Sequence, residues 1–247
     1  MQNINVSFEP TSEQCNEIKE WLIEEDNKVR LSGFFCNWNS IQFSFDDRKM
    51  AVISVNGRTS GFITWFDMER VTKIQIAEIK PGFRKMGLGK ILTHALLSRL
   101  KNEGVIAVRL QCQPSDAENA WKKIGFKNFP SVPEMEPFNN YDEGRHLYQI
   151  LTKYAEPNIT ESSNEIIEMW AVESYLSDKH SPVWVWNLKF ENGSRKLATP
   201  IIAPAKHKWN ICWKINGEMI KNSQIKYFSK TEVYFDNFLF IEELPLN

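Results

Sequence analysis

Apolar residues along the first 155 positions recur with two different periods, which predict a series of strands and helices. Alternating or short continuous apolar runs indicate strands, and apolar residues three or four apart indicate amphipathic helices. We predict strands at 4–8, 50–55, 61–66, 71–79, 105–111, 125–129 and 146–154. We predict helices at about 12–22, 33–44, 88–102 and 115–123. This order is typical of an α/β (α+β) layout with hairpins in its first half.

The first of these helices carries a start signal as well as an apolar stripe. Thr11 and Gln14 are three residues apart, which matches a capping box. The apolar positions that follow are Cys15, Ile18, Trp21 and Leu22. One face of this helix is therefore expected to be buried.

A polar, turn-rich stretch at about 155–164 separates two parts of the chain, so we predict domains at 1–155 and 156–247. In the second part, residues 161–178 have apolar spacings that allow an amphipathic helix, and a strand from Met169 is the alternative. After Pro182 the period is two, and strands are predicted at 184–190, 209–215, 224–228, 232–235 and 238–241. We expect a small antiparallel β-rich domain.

Tryptophan residues give this second part a large aromatic content. Trp184 and Trp186 share one predicted strand face, and Trp209 and Trp213 repeat the pattern. Such stripes are usually core, and the alternative is a face that binds a ligand or partner. We recognise no family here, so an acceptor-recognition module, a dimerisation platform and a cover for an edge of the first domain all stay open.

Composition and charge narrow the class of protein. The chain has 247 residues, with 42% hydrophobic and 25% charged residues, which is ordinary for a globular protein. Thirty basic and thirty-one acidic residues give a net charge of −1, so we expect neither a nucleic acid nor a membrane as partner. The sequence has no signal-peptide pattern and no long apolar span, so we expect a cytoplasmic protein. The four cysteines and four histidines are scattered, so we expect no metal site.

The segment from Ile74 to Lys90 carries the most informative chemistry. A predicted strand ends near Pro81, a basic loop follows, and Gly87 and Gly89 stand where a helix begins. The start of a helix has unpaired N–H groups and the positive end of the helix dipole, so it binds anions. Glycine lets a phosphate approach the backbone closely. Three side chains would add positive charge: Arg84, Lys85 and Lys90.

The run Arg84-Lys85-Met86-Gly87-Leu88-Gly89 resembles the R/Q-x-x-G-x-G/A signature of the GCN5-related N-acetyltransferase (GNAT) superfamily. Ala117 with Gly125 and Phe126 resembles the family's A-x-x-x-Y-x-x-x-G-F element. The resemblance covers residues 1–155. It implies a GNAT-like fold, in which a mixed, mostly antiparallel sheet is flanked by helices, with the β-rich domain as an addition.

The resemblance also implies roles for individual residues. Backbone N–H groups from Arg84 to Lys90 would bind the pyrophosphate of acetyl-CoA, and the pantetheine arm would pair with the strand at Ile79 and Lys80. The Ile79 N–H would stabilise the oxyanion. The residues implied to bind the cofactor are Ile79, Lys80, Arg84, Lys85, Met86, Gly87, Leu88, Gly89, Lys90 and Trp121.

Glu78 is the candidate general base, because it is the acidic residue on the strand next to the thioester. Strand alternation places it on the same face as Ile74 and Ile76, unless the family's bulge redirects it. Asp116 and Glu118, at the start of the next helix, are weaker candidates.

Two positions depart from the family pattern. Trp121 stands where the family often has a tyrosine that protonates the leaving thiolate, and its indole N–H donates hydrogen bonds without being a useful acid. Pro114 stands where an asparagine usually contacts CoA, so that contact is missing or passes to Ser115 or Asp116. The run 131–144 is a candidate wall of the acceptor pocket, through Met135, Phe138 and Tyr141.

We therefore predict an acetyl-CoA-dependent N-acetyltransferase that transfers acetyl directly to a primary amine in a ternary complex. The amine belongs to a small molecule or a peptide whose identity stays open, as does a homodimer. The alternative is a non-catalytic acyl-CoA-binding sensor or interaction module, which the departures at Trp121 and Pro114 keep open.

Overall fold

A computed structural model describes residues 3–28, 34–113, 117–130, 145–158, 163–228, 233–235 and 238–245. The chain divides into two compact units, the first formed by 1–126 with 144–151 and the second by 127–143 with 152–247. The predicted division into domains at 1–155 and 156–247 stays a prediction. Residues 131–144 lie outside the described part of the chain, together with the pocket wall predicted there.

The first unit contains a sheet and the helices that cover it. Its strands are β1 (Ile4–Ser7), β2 (Met50–Val55), β3 (Arg58–Met68), β4 (Val71–Ile79), β5 (Ala107–Cys112) and β7 (Arg145–Ile150). Its helices are α1 (Ser12–Lys28), α2 (Trp38–Asp46), α3 (Leu88–Asn102) and α4 (Glu118–Ile124). A two-residue strand, β6 (Lys127–Asn128), begins the second unit. The predicted element order is therefore confirmed.

The strands of the first unit lie in the order β1-β2-β3-β4-β5-β7. Neighbours are antiparallel except β4 and β5, which run parallel. This is the predicted mixed, mostly antiparallel sheet. A parallel pair needs a long crossover, and α3 lies in the connection between β4 and β5.

Residues of α3 belong to one hydrophobic cluster, and residues of α1 and α2 belong to another. The first includes Leu88, Leu92, Leu96, Leu97 and Leu100 of α3. The second includes Ile18, Trp21 and Leu22 of α1 with Ile41 of α2. The predicted stripe of α1 is buried, and the capping box is formed: Gln14 N–H donates to Thr11 Oγ1 at 3.3 Å, and Thr11 N–H donates to Gln14 Oε1 at 3.0 Å.

The second unit is rich in β structure, as predicted. Its strands are β8 (Glu165–Glu173), β9 (Trp184–Asn187), β10 (Lys196–Pro204), β11 (Trp209–Ile215), β12 (Glu218–Gln224), β13 (Val233–Phe235) and β14 (Phe238–Glu243). They form antiparallel sheets with the orders β12-β11-β8-β9 and β10-β14-β13. The aromatic stripe is core, because Trp186, Trp209 and Trp213 are buried in one hydrophobic cluster.

Two predictions in this unit are wrong or incomplete. In the segment 161–178 the strand alternative is confirmed, because Glu165–Glu173 forms the strand β8, which begins before Met169. The helix considered there is limited to a 3₁₀ helix at Ser174–Lys179. The buried residues Ile167, Met169 and Ala171 of β8 follow a period of two, and pairing with β11 overrides the helical spacing of the other apolar residues. The strand predicted at 224–228 is a 3₁₀ turn at Ile225–Tyr227.

The polar strand β12 precedes that turn and was not predicted, because it is mostly exposed and its sequence does not alternate clearly. Strand β10 was also missed. Within the described ranges, no helix has the length and apolar character needed to cross a membrane.

Candidate functional site

A cavity of about 390 Å³ in the first unit lies beside the C-terminal end of β4, the loop after it and the start of α3. Its far wall comes from α4. Of the predicted site residues, it is lined by Glu78, Ile79, Arg84, Lys85, Gly87, Leu88, Gly89, Lys90 and Trp121. The described residues Lys80 and Met86 are not part of this lining. Predicted site residues from β4, the loop after it, α3 and α4 thus line one cavity.

The start of α3 presents backbone donors to this cavity. The N–H groups of the first helical turn, at Leu88, Gly89 and Lys90, have no carbonyl partner within the helix. The cap residue is Gly87, and no described side chain caps the helix end. Unpaired N–H groups at a helix start favour an anion, and the side chains of Lys85 and Lys90 line the same cavity.

The structure explains the glycines at positions 87 and 89 in different ways. Gly87 has a φ of +79°, a backbone conformation that side chains rarely adopt, so this position needs glycine even without a ligand. A Cβ on Gly89 would lie 3.6 Å from Ile79 Cγ1, an ordinary contact. The protein's own packing therefore tolerates a small side chain at Gly89, and the space beside it is available to a ligand.

A bulge in β4 decides which way Glu78 points. In the pairing of β3 with β4, Thr64 faces Ile76 while Trp65 faces Ile74, so Gln75 is an extra residue. Ile74 consequently packs in the cluster that contains α3, and Ile76 packs in the cluster that contains α1 and α2. The expectation that Glu78 shares a face with both isoleucines is wrong for Ile74.

The sheet opens along β4 beyond this bulge. Parallel pairing with β5 runs only from Val71 to Ile74, and in the described chain residues 75–79 continue past it without a partner on β5. The Lys80 N–H donates to the Ser60 carbonyl on the β3 side at 2.9 Å. Because backbone groups alternate along a strand, the N–H and C=O of Ile79 point to the open side.

Glu78 belongs to a network of charged groups at the end of β4. Its Oε1 accepts hydrogen bonds from the Ile79 N–H at 3.1 Å and from Arg84 Nη2 at 3.0 Å. The same Nη2 lies 2.9 Å from Oε1 of Glu25 on α1, and Arg84 Nε donates to the Ile79 carbonyl at 2.9 Å. Arg84 thus connects both carboxylates and the strand backbone.

Burial raises the pKa of the Glu78 carboxyl above its ordinary value, because it disfavours the charged form. The Arg84 guanidinium opposes this shift, and the negative charge of Glu25 adds to it, so the pKa stays raised. A carboxylate with a raised pKa is a better proton acceptor than an exposed one.

The remaining predicted residues have other surroundings. Trp121 is half-buried in the cavity wall, edge-on to Phe126 with ring centroids 5.3 Å apart. Glu118 is buried and pairs with Arg145 and, at 2.6 Å, with Lys122, so its carboxylate serves the packing of α4. Pro114, Ser115 and Asp116 lie outside the described residues.

Sequence reasoning missed part of the lining and the charged residue from α1. The missed lining residues are Phe62, Ala77, Phe83, Leu92, Thr93, Ala120, Lys123 and Ile124. The helical period could have indicated Ile124, which lies three residues after Trp121 on α4. Nothing in the sequence links Glu25 to the site, because it reaches Arg84 through tertiary folding alone. The described part of the chain has no cluster of three or more metal-ligating side chains.

Gly61 on β3 allows the close approach of β4 at the site. A Cβ there would lie 2.4 Å from Ile79 Cδ1 and 2.8 Å from the Glu78 carbonyl oxygen. We expect Gly61→Ala to lower the free energy of unfolding by about 2 kcal/mol, as in other overpacked sites, and to weaken CoA binding. Thermal unfolding and calorimetric titration measure the two effects. Gly82→Ala is the control, because its Cβ would enter open space, and an equal loss in both variants would contradict the prediction.

Three solved structures indicate what the chain is similar to. Ard1 from Thermoplasma volcanium is 19% identical with a TM-score of 0.46, and the match covers 61% of this chain and 98% of that one. The PaiA N-acetyltransferase from Thermoplasma acidophilum, in complex with coenzyme A, is 15% identical with a TM-score of 0.47, covering 60% and 99%. The ribosomal-protein-S18-alanine N-acetyltransferase from Escherichia coli is 11% identical with a TM-score of 0.46, covering 66% and 99%.

A search of curated proteins finds no match to this chain. A protein-family model described as the acetyltransferase (GNAT) family matches residues 11–126. This range contains the strands β2 to β5, the helices α1 to α4 and every residue that lines the cavity. The resemblance predicted from the signature loop is confirmed. Residues 11–126 therefore match the acetyltransferase (GNAT) family, whose members are acyltransferases.

Proposed function

We propose that the chain is an acetyl-CoA-dependent N-acetyltransferase that transfers acetyl directly to a primary amine while both substrates are bound. One observation carries the proposal: the open side of β4 at Ile79 and the uncapped start of α3 line the same cavity as Glu78. A thioester, its phosphate groups and a proton acceptor would therefore be held next to one another.

The donor set suits the phosphate groups of CoA. Backbone N–H groups at Leu88, Gly89 and Lys90 would bind the pyrophosphate, since helix starts are anion sites. Lys85 would add charge from the loop, Lys90 from the first turn of α3 and Lys123 from α4. When bound, acetyl-CoA supplies the activated acetyl group.

Ile79 would hold the part of the cofactor nearest the reaction. Its N–H and C=O face the open side of β4, where an extended pantetheine arm can pair with them as a neighbouring strand does. These groups bond to Glu78 and Arg84, so cofactor binding would exchange two internal hydrogen bonds for two with the ligand. The Ile79 N–H would then stabilise negative charge on the thioester oxygen.

Glu78 would act as the general base. An acceptor ammonium must lose its proton before the nitrogen attacks, and Glu78 accepts that proton directly or through one water. Because Glu78 must be ionised to do so, the rate would rise with pH through its raised pKa. Trp121 would form a wall of the cofactor site, and the thiolate would leave without a proton from this residue.

The test measures binding and turnover on the same protein. Calorimetric titration with acetyl-CoA and with CoA should give saturable binding at micromolar concentrations. Release of free thiol, followed by a colorimetric reagent across a panel of small-molecule and peptide amines, should exceed hydrolysis without acceptor. Binding without acceptor-dependent thiol release would overturn the proposal in favour of a non-catalytic acyl-CoA sensor. Failure to bind either compound would overturn both.

A further inference from the structure

Glu25 is the one acidic residue of α1 that the structure brings to Glu78 among the described contacts. It lies in the last turn of the helix, 53 positions before Glu78, and its side chain is 14% exposed. Its Oε1 lies 2.9 Å from Arg84 Nη2, the same nitrogen that lies 3.0 Å from Glu78 Oε1. The two carboxylates therefore share one donor nitrogen.

Sharing a nitrogen has an electrostatic consequence. A guanidinium that serves a single carboxylate stabilises its charged form, and more so when that carboxylate is withdrawn from water. Here the Arg84 charge is divided between two carboxylates, and Glu25 repels the negative form of Glu78. Arg84 is itself held in place by its third contact, from Nε to the Ile79 carbonyl.

We propose that Glu25 is a positioning residue for acetyl transfer, which draws the Arg84 guanidinium partly away from Glu78 and so keeps Glu78 available as a proton acceptor. This inference rests on the proposed function, because it concerns the charges around Glu78, the general base of the proposed reaction. It also explains why two nearly buried carboxylates meet at this strand end, where one would suffice for an ion pair with Arg84.

Charged groups from α1 and from the loop after β4 act on Glu78. Glu25 comes from α1 and Arg84 from the loop after β4. Lys85, Lys90 and Lys123 line the same cavity. The pKa of Glu78 is raised by burial and by Glu25, and lowered by Arg84. Removing the charge of Glu25 should therefore lower that pKa.

The test follows the Glu78 carboxyl directly. Carbon-13 NMR of protein labelled at glutamate carboxyl groups gives the titration of each side chain, and the Glu78 signal is assigned as the one missing in Glu78→Gln. We compare the wild type with Glu25→Gln, which keeps the size and a hydrogen-bond acceptor. Glu24→Gln is the control, since it removes the same charge from an exposed neighbour on the same helix. Circular dichroism and CoA titration verify that each variant is folded.

In Glu25→Gln the Glu78 titration should move to lower pH, and the acid limb of the kcat/KM profile should move in the same direction. Glu24→Gln should leave both unchanged. Glu25→Asp keeps the charge with a shorter side chain and should give a smaller shift, which also serves as the test if Glu25→Gln does not fold.

An unchanged Glu78 titration in Glu25→Gln, or equal shifts in Glu25→Gln and Glu24→Gln, would overturn the role of Glu25 and leave the proposed function intact. A shifted titration in a protein with no acceptor-dependent turnover would overturn the proposed function instead. The two failures are therefore distinguishable.

Discussion

Glu78→Gln is expected to lower kcat/KM for acetyl transfer by about 10²–10⁴-fold, the range typical of losing a general base. The amide has nearly the shape of the carboxylate, and it retains an oxygen that can accept the hydrogen bonds from Ile79 and Arg84. We therefore expect CoA affinity and the unfolding temperature to change little. Steady-state kinetics at several pH values, with a calorimetric CoA titration, measures both properties.

The pH dependence of acetyl transfer distinguishes the loss of a general base from a loss of activity with another cause. Wild-type activity should rise with pH as Glu78 loses its proton, at a pKa above the ordinary carboxyl value. The variant should lack this rise, so the loss should be largest at pH values above the Glu78 pKa. Glu103→Gln is the control, because Glu103 forms a comparable ion pair with Arg99 at 2.7 Å but lies at the other end of α3. If the pH profile of Glu78→Gln ran parallel to that of the wild type, Glu78 would not be the general base.

Gly89→Asp is expected to weaken CoA binding by about 100-fold while leaving the domain folded. A carboxylate in the first turn of α3 would repel the pyrophosphate and compete for the same N–H groups. Losing two hydrogen bonds to a charged group costs about 3 kcal/mol or more, which corresponds to about a factor of 100. For the helix itself, an acidic residue in the first turn is stabilising by about 0.3–1 kcal/mol.

Opposite effects on stability and affinity make this prediction specific. We expect the unfolding temperature of Gly89→Asp to equal or exceed that of the wild type, measured by circular dichroism, because a Cβ at this position makes an ordinary contact. Gly89→Ala separates the effect of added bulk from that of charge. Ser98→Asp places the same charge on an exposed position of the same helix. Undiminished CoA affinity in folded Gly89→Asp would contradict the phosphate role of the loop.

Much of the first unit could be predicted from the sequence, because the signals there are local. The capping box of Thr11 and Gln14, the apolar stripe of α1 and the glycine loop at the start of α3 depend on residues a few positions apart. The second unit was harder to predict. The strand β8 has a helix-like spacing, and β12 is an exposed strand with few apolar residues, so both depend on pairing with β11.

The amino-acid sequence by itself determined the glycine loop at the start of α3, the identity of Glu78 as the acidic residue near it and the family that residues 11–126 match. The tertiary structure decided where Glu78 points and which groups surround it. The bulge at Gln75 turns Glu78 toward the side of α1, where Arg84 joins it to Glu25. A bulge and an ion pair between distant elements arise from strand register and packing, and neither leaves a periodic signal in the chain.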